Sequence, residues 1–149
     1  MRDNILNKME TCGPYKETDC DNVLYKCSKT PLLLSSHNDC QILICKYENY
    51  LSLCFRGTES KEDILVDLNI IKVPFNLDII DEENIPYVHK GFYNQFNSLK
   101  DDINKEIKKY LDNNENIKLI FSGHSLGGAL ATIASLHFKY KYPNQDISC

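Results

Sequence analysis

Five residues of this chain have the types and spacing to attack a carbonyl: Gly123-His124-Ser125-Leu126-Gly127. A serine set between two glycines in this way, G-x-S-x-G, suits a sharp strand-to-helix turn that lifts its hydroxyl clear of its surroundings. Such a turn strains the serine backbone by about 1–3 kcal/mol and persists only where its neighbours enforce it. Gly123 and Gly127 answer that need, because a Cβ at either place is expected to collide across the turn. The N-terminus of the following helix then lies beneath the hydroxyl and favours negative charge there. Three fixed positions in five also arise by chance in surface turns, so the flanks decide.

Those flanks read as strand and helix. Ile117 to Phe121 is an apolar run of strand length, uncharged after Lys118. Gly128, Ala129 and Ala131 follow the serine, small enough to let a helix approach a sheet closely. The order is therefore strand, turn, helix, with Ser125 at the apex as the candidate nucleophile.

The elements that must hold this turn lie upstream. Gln41 to Tyr47 and Tyr50 to Phe55 are apolar, β-favouring runs around Glu48-Asn49, which predicts a hairpin. Their near-continuous apolarity predicts a sheet buried on both faces. Leu32-Leu33-Leu34 reads as a short strand or an extended link, and Ile70 to Phe75 as extended, because Pro74 disfavours helix before it. Phe92, Phe96, Leu99, Ile103, Ile107 and Leu111 recur at helical spacing, with charged residues opposite, and predict an amphipathic helix over 92–111. A second helix runs from Leu126 to about Tyr140 and is stopped by Pro143. Lys16–Cys27 reads as a short helix, Ser60 as the N-cap of a short amphipathic helix over 61–68, and 78–86 as an acidic loop.

Composition bounds the function. A chain of 149 residues is expected to form one domain over 1–149. A net charge of −4 gives no electrostatic reason to bind nucleic acid. No apolar run approaches the roughly 20 residues of a membrane span, and the first residues lack a signal-peptide core. Seven cysteines without a C-x-x-C pair match no zinc site. With that odd count and no secretory signal, they are expected to be reduced thiols in an intracellular, cytoplasmic protein.

Four stretches then carry a resemblance. Phe55-Arg56-Gly57-Thr58, Asp63 to Leu68, Val88-His89-Lys90-Gly91-Phe92 and Gly123 to Ala131 together resemble the class 3 lipases, the fungal-lipase-like branch of the α/β-hydrolases. They stand in the family's order, and the resemblance covers about Gln41 to Tyr142. It implies a three-layer α/β-hydrolase sheet, incomplete at its C-terminal side, whose open edge invites self-association. It also implies hydrolysis of lipid or small acyl esters through a serine acyl-enzyme, with no metal or organic cofactor. Ser125 corresponds to the acyl-accepting nucleophile, and Thr58 and Leu126 to the oxyanion-hole positions. Gly123, His124 and Gly127 complete the elbow. Fixed donors at such a hole contribute about 10²–10³ each in rate.

Two accounts of Ser60–Asn69 stay open: a lid making transient contact with a lipid surface, or a short helix capping the core. The family's tryptophan is Ile64 here. The larger departure concerns the base and acid that the family places after its serine. Here only residues 126–149 follow it, and Asp146 comes too soon after the helix to match the family's acid. His137 stands twelve residues on, about 18 Å along a helix. His124 is expected to point away, His89 belongs to a structural stretch, and His37 precedes all four motifs. The expectation is a nucleophile-bearing portion without triad Asp and His. The alternative is a catalytically silent, truncated protein that acts as a binding module.

Overall fold

The computed structural model describes residues 32–35, 40–57, 71–75, 85–113 and 116–149. The expected helix at Lys16–Cys27, the segment 58–70 with Thr58, residues 78–84 of the acidic loop, and His37 lie outside them.

The hairpin forms as its sequence predicts. Strands β2 (Gln41–Lys46) and β3 (Tyr50–Phe55) pair antiparallel, with Ile42 opposite Phe55 and Lys46 opposite Leu51. Every position after the first is buried in both strands, so neither face of the hairpin meets water. Even Lys46 is buried, and its Nζ donates to the carbonyls of Tyr47 (2.8 Å) and Glu48 (3.1 Å) at the turn. Strand β1 (Leu32–Ser35) pairs antiparallel with β2.

The chain next forms a separate two-stranded antiparallel ribbon of β4 (Lys72–Pro74) and β5 (Tyr87–His89). Helix α1 (Lys90–Leu111) follows directly and starts two residues earlier than its apolar period indicates. The reason is local: His89 ends β5 in extended conformation (φ −64°, ψ 125°) and caps the helix without a spacer. Phe96, Leu99, Ile103 and Ile107 bury one face of α1. Strand β6 (Lys118–Gly123) then pairs parallel with β3, which puts Gly123 opposite Phe55. Helix α2 (Leu126–Lys141) leads away from it, and Tyr142 closes it just before Pro143.

Both helices pack on the face of the sheet that carries Ile42, Ile44, Leu51, Leu53, Phe55, Leu119 and Phe121. Phe138 of α2 stacks on Phe121 of β6 at 5.7 Å, and Phe96 of α1 meets Phe138 edge-on at 6.4 Å. Tyr142 Oη donates to Asn104 Oδ1 at 2.7 Å and ties the end of α2 to α1. The opposite face, with Leu43, Cys45, Ser52 and Cys54, is buried too.

One expectation needs correction. The far edge of β6 is not bare: strand β7 (Ile147–Ser148) pairs parallel with Leu119 and Ile120, giving the sheet order β1-β2-β3-β6-β7. The Leu119 N–H donates to the Asp146 carbonyl at 2.9 Å, Gln145 Nε2 donates to the Ile117 carbonyl, and Lys118 lies 3.6 Å from Asp146. A two-residue strand has no periodicity to betray it, so only these contacts reveal it.

Candidate active site

Ser125 stands at the end of β6 with φ 55° and ψ −120°, the one non-glycine positive φ among the described residues. An L-residue in that region is strained by about 1–3 kcal/mol. Neither glycine of the motif has positive φ, so their role is one of space and not of backbone freedom. A Cβ on Gly123 would lie 2.3 Å from the carbonyl carbon and oxygen of Gly127, the collision across the turn that the sequence predicts. At Gly127 the collision is elsewhere: its Cβ would meet the Phe55 carbonyl oxygen at 2.4 Å and that of Arg56 at 3.0 Å. The second glycine therefore seats the first turn of α2 against the exit of β3. Buried Ala131 and Ala134 continue the close approach.

The hydroxyl is left available. Ser125 is exposed, and although it occupies the N-cap position of α2 its side chain makes no capping bond. The elbow is closed by its backbone, with the Gly127 N–H donating to the His124 carbonyl (2.9 Å) and the Ala129 N–H to the Ser125 carbonyl (3.2 Å). No carbonyl among the described residues accepts from the Leu126 N–H. The first turn of α2 holds no acidic side chain, so the positive end of the helix is not neutralised there. Negative charge developing on an oxygen beside Ser125 meets both a backbone donor and a favourable dipole.

Arg56 and Gly57 carry the chain past the elbow on the β3 side toward Thr58, which lies outside the described residues. Gln41 holds that exit: its carbonyl accepts from the Arg56 N–H at 3.0 Å, and its Oε1 accepts from Arg56 Nη1 at 3.1 Å. Reasoning from sequence does not find Gln41; the one hint is a polar residue at the head of an apolar strand.

The histidines fall into distinct places. His89 sits at the β5–α1 junction with its ring on Phe92 (4.5 Å), and neither ring nitrogen, both buried, has a hydrogen-bond partner among the described residues. Gly91 makes room for it, since a Cβ there would lie 3.1 Å from His89 Cε1. His137 packs on Phe96 at 5.3 Å, between the helices. His124 is exposed on the elbow. Cys40, Cys45, Cys54 and Cys149 are thiols, not disulfides, while Cys12, Cys20 and Cys27 lie outside the described residues. No cluster of three or more metal-ligating side chains occurs among the described residues, and no described helix is long and apolar enough to cross a membrane.

A parallel-centred sheet whose strand-to-helix turn strains a serine defines an α/β-hydrolase. The family model for lipase (class 3) matches residues 52–149, and the chain belongs to that family. The match starts later than the resemblance at Gln41 and runs beyond Tyr142 to the last residue. Secreted mono- and diacylglycerol lipase A of Penicillium cyclopium is 33% identical over 96 residues, 64% of this chain and 30% of that protein. A lipase of Rhizopus niveus is 29% identical over 111 residues, 74% of this chain and 27% of that protein. The chain thus spans less than a third of the length of these curated relatives. Among solved structures, the Rhizomucor miehei triacylglyceride lipase superposes with a TM-score of 0.74 at 19% identity, over 98% of this chain and 59% of that one. MDLA of Penicillium cyclopium superposes at 0.67 and 27% identity, over 89% and 49%.

Proposed function

We propose that this chain is the nucleophile-bearing part of a serine hydrolase acting on acyl esters of lipids, with Ser125 as the acyl acceptor. The observation that carries the reading is the elbow: an exposed serine at φ 55° on the un-neutralised positive end of α2. The names of the relatives, mono- and diacylglycerol lipase and triacylglyceride lipase, supply the substrate class. Ser125 Oγ gives up its proton to a general base as it adds to the ester carbonyl carbon, and the carbonyl oxygen takes the negative charge. The Leu126 N–H donates to that oxygen, with Thr58 as its proposed partner donor. Collapse expels the alcohol, which takes up a proton, and water then releases the acid from the acyl-serine. Neither a metal nor an organic cofactor is needed.

A serine hydroxyl is a weak nucleophile until a base takes its proton. His89 is a poor candidate, because both its ring nitrogens are buried whereas Ser125 is exposed. His137 is twelve residues along α2, about 18 Å away. We therefore assign the triad acid and base to no residue of this chain, so that alone it acylates slowly. The same observation favours the second reading, a silent binding module.

Intact-mass analysis after incubation with an alkyl fluorophosphonate at pH 9 separates the two. Slow, single modification at Ser125, faster with added imidazole and absent in Ser125→Ala, is the expected result. Equal modification of wild type and Ser125→Ala, or none with imidazole present, would favour the silent module.

A further inference from the structure

We propose that Gln41 is a positioning residue for the nucleophile elbow, an assignment that rests on Ser125 being the acyl acceptor. Arg56 is the first residue beyond β3, and Gln41 holds it twice. The Arg56 N–H donates to the Gln41 carbonyl at 3.0 Å, one step past the Ile42–Phe55 pair. The Arg56 guanidinium donates through Nη1 to Gln41 Oε1 at 3.1 Å. One residue of β2 thus fixes both the backbone and the side chain of Arg56.

The other side of the same peptide bears on the elbow. The Phe55 and Arg56 carbonyls lie so close to Gly127 that a Cβ there would stand 2.4 Å and 3.0 Å from their oxygens. Gly127 follows Leu126, whose N–H is the proposed oxyanion donor, and Gly123 in turn packs on the Gly127 backbone. A continuous chain of contacts therefore runs from the Gln41 amide through Arg56 to the first turn of α2. In a close-packed arrangement a displacement at one end is felt at the other. Gln41 itself neither borders Ser125 in sequence nor needs to touch substrate.

The consequence for chemistry is geometric. A misplacement of about 1 Å at a reacting centre costs roughly 10²-fold in rate, so a partial shift of the oxyanion donor is expected to cost about tenfold. Reagent affinity, which depends on the rest of the site, should stay unchanged. A residue that served folding alone would not separate the two quantities.

The test is the rate of Ser125 phosphonylation by an alkyl fluorophosphonate, followed by intact mass at several reagent concentrations with imidazole present. Gln41→Leu should lower the limiting rate about tenfold while leaving the half-saturating concentration unchanged. Gln41→Glu keeps an acceptor for Arg56 and should label within about twofold of wild type. Should Gln41→Leu fail to fold by circular dichroism, Gln41→Asn, which withdraws the amide by one carbon, carries the same comparison. A Gln41→Leu (or Gln41→Asn) rate equal to wild type, or no recovery in Gln41→Glu, overturns the proposal. If wild type and Ser125→Ala give the same labelling, the reading of Ser125 falls and takes this assignment with it.

Discussion

At Ser125 backbone strain and chemistry can be separated by substitution. Glycine reaches φ 55° without a steric penalty, whereas alanine retains the strain of roughly 1–3 kcal/mol. Both changes remove the hydroxyl, so Ser125→Gly should unfold at a higher temperature than Ser125→Ala, and equal midpoints would mean that little strain is stored there. The neighbouring glycines make the opposite case, since a Cβ at Gly123 or Gly127 would sit 2.3–2.4 Å from backbone atoms. Gly123→Ala and Gly127→Ala should each destabilise by at least the roughly 1–3 kcal/mol of an overpacked core. Gly128→Ala, with its nearest neighbour at 3.3 Å, should cost less, and urea unfolding of the three variants checks the ranking. Cys40 adds a pH dependence. Burial pushes its thiol from an ordinary 9.0 up to about 12, so the folded state favours the protonated form. Its contribution is fully present below pH 9 and is lost as pH rises from 9 through 12. Guanidinium unfolding at pH 8 and 10.5 should show a steeper fall for wild type than for Cys40→Val, and parallel falls would contradict the assignment.

Among the elements, α1, α2 and β6 meet in one aromatic column. Phe138 is wholly buried between Phe121, Phe96 and Tyr142. Phe138→Ala should therefore destabilise by about 3–5 kcal/mol in denaturant unfolding, and a loss below 1 kcal/mol would show the column to be dispensable. Much of this scaffold is legible in the amino-acid sequence. Apolar runs of strand length and a clear helical period foretell β2, β3, β6, α1 and α2, because burial imposes those periods on sequence. What escapes is set by contacts between distant residues. Ile147-Ser148 becomes a strand only because β6 offers it an edge, and Gln41 acquires a role only through Arg56, fifteen positions away. The purpose of Gly127 is half legible: the need for a missing Cβ is evident, but the obstacle is β3 and not the turn itself. Thr58 and the segment 60–69 lie outside the described residues. The paired part of the β6 edge stops at Ile120, and among the described residues no strand covers Phe121–Gly123 on that side. We expect concentration-dependent self-association through this edge, and a concentration-independent monomer in sedimentation velocity would contradict it.

For the whole molecule, the central claim is a division of labour. The chain holds the strained serine and, on the proposed reading, a backbone donor for the oxyanion in the Leu126 N–H, and it spans 30% and 27% of the length of two curated relatives. Loss of one triad member leaves a residual advantage of roughly 10³–10⁴ over water, from binding and the oxyanion hole alone. The most direct test is steady-state hydrolysis of a short-chain p-nitrophenyl ester by wild type, Ser125→Ala and His89→Ala, each confirmed to be folded. Turnover no greater than that residual advantage is expected for all three, with at most a small Ser125-dependent excess in wild type. Robust wild-type turnover abolished by Ser125→Ala would contradict the claim, because the chain would then contain its own base; loss in His89→Ala as well would identify that base.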